Sequence, residues 1–172
     1  MSADAARIIA SALRLERPLL VIDVESTGVN PEHDRIVEIA VTRIDPDGET
    51  VAWSTLVNPG MPIPPSSTAI HGIADADVAG LPFFNAHAKA LAARFEECDL
   101  AGFNLRRFDM KILKTEFNRC GVAWDPAKSK VIDAYKIFAL KEPRDLAAAR
   151  KFYGTPEGGE THRAGADVQA TL

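Results

Sequence analysis

The sequence predicts a mixed α/β fold, a five-stranded sheet flanked by helices. Three observations carry that expectation. The first third holds three short strand-like runs joined by turn-rich links. The remainder alternates helical spacing with further short apolar runs. The chain has 172 residues, 47% of them hydrophobic, which is enough for a single domain with one sizeable core.

Element by element, residues 1–16 form an N-terminal helical extension. Asp4, Arg7, Arg14 and Glu16 break the apolar stretch too often for a signal peptide. Residues 19–25 (LLVIDVE) read as a buried strand. Residues 35–45 (RIVEIAVTRID) are a second, ended by the turn residues Pro46, Asp47 and Gly48. Residues 50–57 are a third, and the short links make an antiparallel meander. Pro59, Pro62, Pro64 and Pro65 then prevent any continuation of the sheet. Over residues 83–97, Phe84, Ala88, Leu91 and Phe95 recur at helical spacing, with Pro82 suited to the first turn. A strand at 99–103, a helix over 105–119 closed by Gly121, and a last strand at 130–133 follow. Helices over 144–153, stopped by Gly154, and from 163 onward complete the pattern. The final helix has barely ten residues before Leu172 and reads as cut short, as in a domain taken from a longer protein.

A net charge of −4 and a pI near 5.6 argue against a broad basic face for duplex nucleic acid. They do not exclude an acidic cleft, whose charge bound cations would invert. No run is long enough to span a bilayer. Cys98 and Cys120 have neither metal-site spacing nor a partner network, so they read as core thiols of a soluble cytoplasmic protein.

The chemistry-bearing residues are acidic. Asp23 and Glu25 are two apart on a predicted strand and leave the same face. In an otherwise apolar strand such a pair repels itself and loses hydration, which a divalent cation with oxygen ligands would relieve. An alternative reading leaves Glu25 solvated in the loop, with Asp23 capping the Ser26-Thr27-Gly28 turn. Asp109 lies beside the core face of its helix, in a first turn that favours a carboxylate for electrostatic reasons alone. His162 and Asp167 are five residues apart, about 140° around a helix, so one site for both requires His162 to precede the helix on the loop with Gly158 and Gly159.

Three segments in order, VIDVESTG, AGFNLRRFD and HRAGADVQATL, resemble the DEDDh exonucleases, the group that contains the proofreading epsilon subunit of bacterial DNA polymerase III. The resemblance runs from about residue 17 to residue 172 and includes LVNPGMPIPPSSTAIHGIADADV between the first and second motifs. It implies a ribonuclease-H-like fold and a metal-dependent 3′→5′ exonuclease that releases nucleoside 5′-monophosphates from single-stranded nucleic acid. DNA is favoured over RNA, and association with a polymerase is implied as well. Asp23 and Glu25 match the first motif, Asp109 the second, and Asp167 with His162 the third. A histidine there, rather than a tyrosine, marks the DEDDh branch.

By the same resemblance Asp23, Glu25, Asp109 and Asp167 hold two divalent cations, Mg²⁺ or Mn²⁺, and His162 serves as general base. Thr27 and Gly28 follow the acid pair closely enough for their backbone to meet the terminal sugar. The resemblance implies His71 and Ile73 near the last bases, with Ile73 alternatively packed under the loop, and Asn104 at the substrate. Phe103 departs from the family, many of whose members have histidine there. Arg106 and Arg107 either reach a phosphate or are simply solvated at the helix start, and Asp133 is a fifth acid that either joins the site or supports the next segment.

Two rivals stand beside this reading. VIDVEST loosely resembles the haloacid-dehalogenase-type phosphatase motif, but Glu25 replaces the second aspartate and no later lysine and paired-aspartate segment is evident. A non-catalytic binding or assembly module with an exonuclease fold is the other.

Overall fold

A computed structural model of the protein describes residues 3–142 together with 148, 151 and 152. The chain divides into two compact units, Met1–Ala134 and Tyr135–Leu172. In the first, helix α1 (Ala3–Leu13) precedes strands β1 (Leu19–Ser26), β2 (Ile36–Ile44) and β3 (Thr50–Leu56). Helices α2 (Pro65–His71), α3 (Asp75–Val78) and α4 (Phe84–Phe95) follow, then β4 (Asp99–Gly102), α5 (Asp109–Arg119) and β5 (Val131–Asp133). The second unit contains nearly all of helix α6 (Ala134–Lys141).

The strands form one five-stranded sheet in the order β3-β2-β1-β4-β5. β1, β2 and β3 pair antiparallel, whereas β4 runs parallel to both β1 and β5. This is the mixed sheet that the apolar runs predict. β1 sits at its centre because its alternation serves two faces. Leu20, Ile22 and Val24 enter the main core with Ile39, Val41 and Leu100, under α4 and α5. Leu19 points the other way, against Ala6 and Ala10 of α1. Further along that second face stand Val21, Asp23 and Glu25, so the period-two pattern itself separates the acids from the main core.

Phe117 anchors α5 in the main core. Its ring meets Phe84 edge-on at 5.4 Å and Phe95 at 6.1 Å. Such a fully buried side chain contributes about 1.5–3 kcal/mol through burial, and edge-to-face pairs add to it. At Gly102, the last residue of β4, a Cβ would lie 2.7 Å from the Ile22 carbonyl oxygen and 3.1 Å from Leu105 Cδ1, so the position needs glycine.

α5 begins at Asp109, not near residue 105 as its apolar spacing predicts. Asn104 takes the left-handed conformation (φ 61°), and the Asp133 carboxylate accepts its backbone N–H at 2.9 Å and that of Arg106 at 3.3 Å. Those donors are satisfied by a side chain, so the chain enters the helix only after Phe108. Helix α6 is absent from the sequence reading, since its apolar residues make no clear stripe. The predicted helix over 144–153 lies largely outside the described residues, and the one from 163 entirely so.

Candidate active site

The site is built on the far end of β1. Parallel pairing with β4 extends only from Leu19 to Val21, where it meets Ala101. Beyond it, the Val24 backbone N–H donates to Asp109 Oδ1 at 3.2 Å, so the first residue of α5 takes the place of the missing strand neighbour. That bond fixes Asp109 beside the stretch holding Asp23 and Glu25. A register shift between Glu25 and Ser26 then turns the chain out of the sheet directly after the pair.

The electrostatics follow from this crowding. Asp109 is only 6% exposed. Burial pushes its carboxyl up to about 6, opposed by its own backbone N–H, reinforced by Asp23, opposed again by the Val24 N–H and reinforced by Asp133. Glu25, half-buried, is raised by burial and then by Asp23, with His71 pulling the other way and Glu38 adding to the rise. Asp23, exposed on the open face, is the shared source of repulsion. An open groove of about 570 Å³ runs from it over Val21, Ala40, Thr42, Ala52 and Ser54.

Several predicted substrate contacts have other duties. Thr27 is 1% exposed. Its hydroxyl donates to Asp34 Oδ1 at 2.9 Å and accepts from the Arg35 N–H at 3.1 Å. Its own N–H donates to the Arg35 carbonyl, and its carbonyl accepts from the Ser67 hydroxyl. Both backbone groups therefore help to hold the loop, and the carbonyl keeps a second lone pair beyond the one that Ser67 uses. Gly28 is half-exposed, and a Cβ on it would lie 2.6 Å from Asp34 Oδ2. Only glycine lets the loop close on that carboxylate.

Ile73, expected against the last bases, is 8% exposed and packs with Val37, Ile63 and Val78. The left-handed turn at Gly72 sends it inward, while Ile70 stands 83% exposed on α2. The apolar count alone does not distinguish the two. His71 accepts the Ile73 N–H on Nδ1 at 3.1 Å, so its proton belongs on Nε2, a buried atom with no hydrogen-bond partner among the described residues. Asn104 is positioned through its backbone by Asp133, and its buried Oδ1 likewise has no partner there. Phe103, Arg106 and Arg107 are exposed. His162 and Asp167 lie outside the described residues.

Three acids converge in this part of the fold, yet among the described residues no group of three His, Cys, Asp or Glu side chains forms a ready metal cage. The donor chemistry nevertheless fits a hard cation. Its ligands would be carboxylate oxygens, and it would relieve the repulsion that raises Asp109 and Glu25. Magnesium in particular is commonly held by one or two carboxylates, with waters and substrate phosphates supplying the rest.

The family model RNase_T, described as Exonuclease, matches residues 20–172. The chain belongs to this exonuclease family. DinG 3′-5′ exonucleases are among its relatives. The exonuclease domain is 25% identical over 155 residues to the protein from Staphylococcus epidermidis, covering 88% of this chain and 17% of that one. To the Staphylococcus aureus protein it is 28% identical over 142 residues, covering 83% and 15%. The chain thus spans about one-sixth of the length of these curated relatives.

Among solved structures, the domain is similar to Escherichia coli exonuclease I in a zinc-bound complex with single-stranded DNA, with TM-score 0.65, 21% identity and 91% and 39% of the two chains covered. The same enzyme with a dT13 oligonucleotide gives TM-score 0.65 and 22% identity over 91% and 39%. These likenesses establish the ribonuclease-H-like fold. Sequence reasoning missed three residues of this region. Ile70 is hidden by Ile73 in the same apolar pattern. Arg35 and Glu116 carry no motif, and only their pairing across the fold draws attention to them.

Proposed function

We propose that the chain is a divalent-cation-dependent 3′→5′ exonuclease that shortens single-stranded nucleic acid, DNA in preference to RNA, to nucleoside 5′-monophosphates. The bond from Val24 to Asp109 is the observation that carries this reading, because it holds a buried third acid against the strand of the first two. A protein with no use for a cation gains nothing from that crowding. Asp23, Glu25 and Asp109 would hold two divalent cations, Mg²⁺ or Mn²⁺, with Asp167 assigned to them by its sequence motif. Bound there, the cations supply charge stabilisation for the attacking and leaving oxygens. His162, likewise assigned from its motif, accepts a proton from the attacking water.

On the substrate side, the half-exposed Gly28 and the 90% exposed Val29 are the loop residues that follow the acids most closely. Ile70 offers an apolar edge to a base, next in sequence to His71, whose buried Nε2 has no hydrogen-bond partner among the described residues. The exonuclease I complexes with single-stranded DNA and with dT13 support a DNA substrate. Among the described residues no helix is long and apolar enough to cross a membrane.

The test uses 5′-labelled single-stranded DNA and RNA with Mg²⁺, Mn²⁺ or chelator. A ladder shortening from the 3′ end, dependent on metal and lost in Asp23→Ala and His162→Ala, is the expected result, with DNA consumed faster. Persistent inactivity with both cations would favour the non-catalytic module.

A further inference from the structure

Seven residues along α5 from Asp109, two helical turns and so on nearly the same face, lies Glu116, which is 0% exposed. A fully buried carboxylate is costly, and a well-packed apolar residue would hold the helix at least as well. Glu116 is instead bound from two sides. Arg35, which leads into β2, donates through Nε to Oε1 at 2.6 Å and through Nη2 to Oε2 at 3.2 Å, a two-point fork. Arg119 donates from Nη1 to Oε1 at 3.2 Å.

Arg119 does not stop there. The same guanidinium donates to the carbonyl of Asp34 at 3.0 Å and to that of Glu32. The backbone of Arg35 meanwhile holds Thr27 through two hydrogen bonds. Residues 27–34 are thus gripped at both ends by cations that share one buried anion. Within the loop, Asp34 gathers the Thr27 hydroxyl and the Asn30 N–H, which leaves the outer rim facing solvent.

We infer that Glu116 is a positioning residue. Through Arg35 and Arg119 it fixes the 27–34 loop to the helix that delivers Asp109, and so sets the surface that receives the terminal nucleotide relative to the acids. The last step rests on the exonuclease reading; the grip itself does not. Because the loop contributes binding and the acids contribute chemistry, loosening the grip raises KM and largely spares kcat.

The experiment compares wild type with Arg119→Met, Arg119→Lys and Glu116→Gln, with two readouts. In amide exchange, the Asn30 and Asp34 N–H groups lose protection by about tenfold in Arg119→Met and Glu116→Gln, while β1 and α5 change by less than about twofold. In steady-state cleavage of single-stranded DNA, KM rises about tenfold and kcat stays within about threefold, with Arg119→Lys recovering part of the loss. Lysine replaces the charge but not the planar reach to two carbonyls and a carboxylate. Unchanged loop exchange would overturn the inference. So would a lowered melting temperature with KM and kcat per folded molecule unaltered, the signature of a merely structural pair. If wild type cleaves nothing, the exonuclease reading fails, and the exchange data still decide whether the grip exists.

Discussion

Replacing Asp109 by asparagine separates what the acids cost the fold from what they do for a cation. Asparagine keeps an oxygen for the Val24 N–H and removes the charge. In the folded protein the carboxyl is raised from 3.8 to about 6, chiefly by burial and then by Asp23. The folded state therefore holds this proton more tightly than the unfolded chain. The group's favourable contribution is complete below about pH 4 and is lost as pH rises through about 6. At about 1.4 kcal/mol per unit, ionised Asp109 costs the cation-free protein up to about 3 kcal/mol at neutral pH.

In chelator at pH 7.5, Asp109→Asn should accordingly be more stable than wild type by about 1–3 kcal/mol, a rise of several degrees in Tm. The gap should close as pH falls toward about 4. With Mg²⁺ or Mn²⁺ the order should reverse, since a ligand that binds only the folded state stabilises in proportion to its occupancy and the variant has lost a ligand. Melts across pH, with and without cation, decide the matter. A variant less stable than wild type in chelator at pH 7.5, or a stability gap that ignores pH, would refute the reasoning.

Other outcomes follow from the packing. Ile70→Ala should weaken binding of single-stranded DNA, read as a higher KM, with stability within about 0.5 kcal/mol of wild type. Ile73→Ala should instead cost about 2–5 kcal/mol in denaturant unfolding; the reverse pattern would exchange their roles. Phe117→Ala should lose about 3–5 kcal/mol through the cavity left between Phe84 and Phe95, and a loss below about 1 kcal/mol would mean that the core collapses around it. Thr27→Val keeps the shape but strands the Arg35 N–H and one Asp34 oxygen, so about 1–3 kcal/mol should disappear from equilibrium unfolding. An unchanged midpoint would show that water replaces the hydroxyl.

The strands were legible because each carries its own period. Leu20, Ile22 and Val24 alternate with Val21, Asp23 and Glu25 in the sequence just as they do across the sheet. The placement of Asp23 and Glu25 on one face therefore follows from strand geometry, and the order of segments exposed the mixed topology. What stayed hidden depends on contacts between distant residues. The late start of α5 comes from Asp133, 24 positions beyond Asp109 and across a parallel strand pair. The inward turn of Ile73 comes from the φ of Gly72, and the duties of Thr27 from Asp34, Arg35 and Ser67. Apolar patterns report which face is wet; they do not report which polar groups are already engaged.

The close approach at Gly102 has a consequence for how this architecture tolerates change. That residue has the carbonyl of Ile22, the neighbour of Asp23, and the side chain of Leu105, in the turn leading to Asp109, both against the position a Cβ would take. Gly102 itself contributes no side chain, so the room there is filled by the Ile22 carbonyl on one side and the Leu105 side chain on the other. Even one methyl group would act as a wedge, driving the two carriers of the acids apart without touching any acid. The tolerances of the site are thus written partly in a position that has no chemistry of its own.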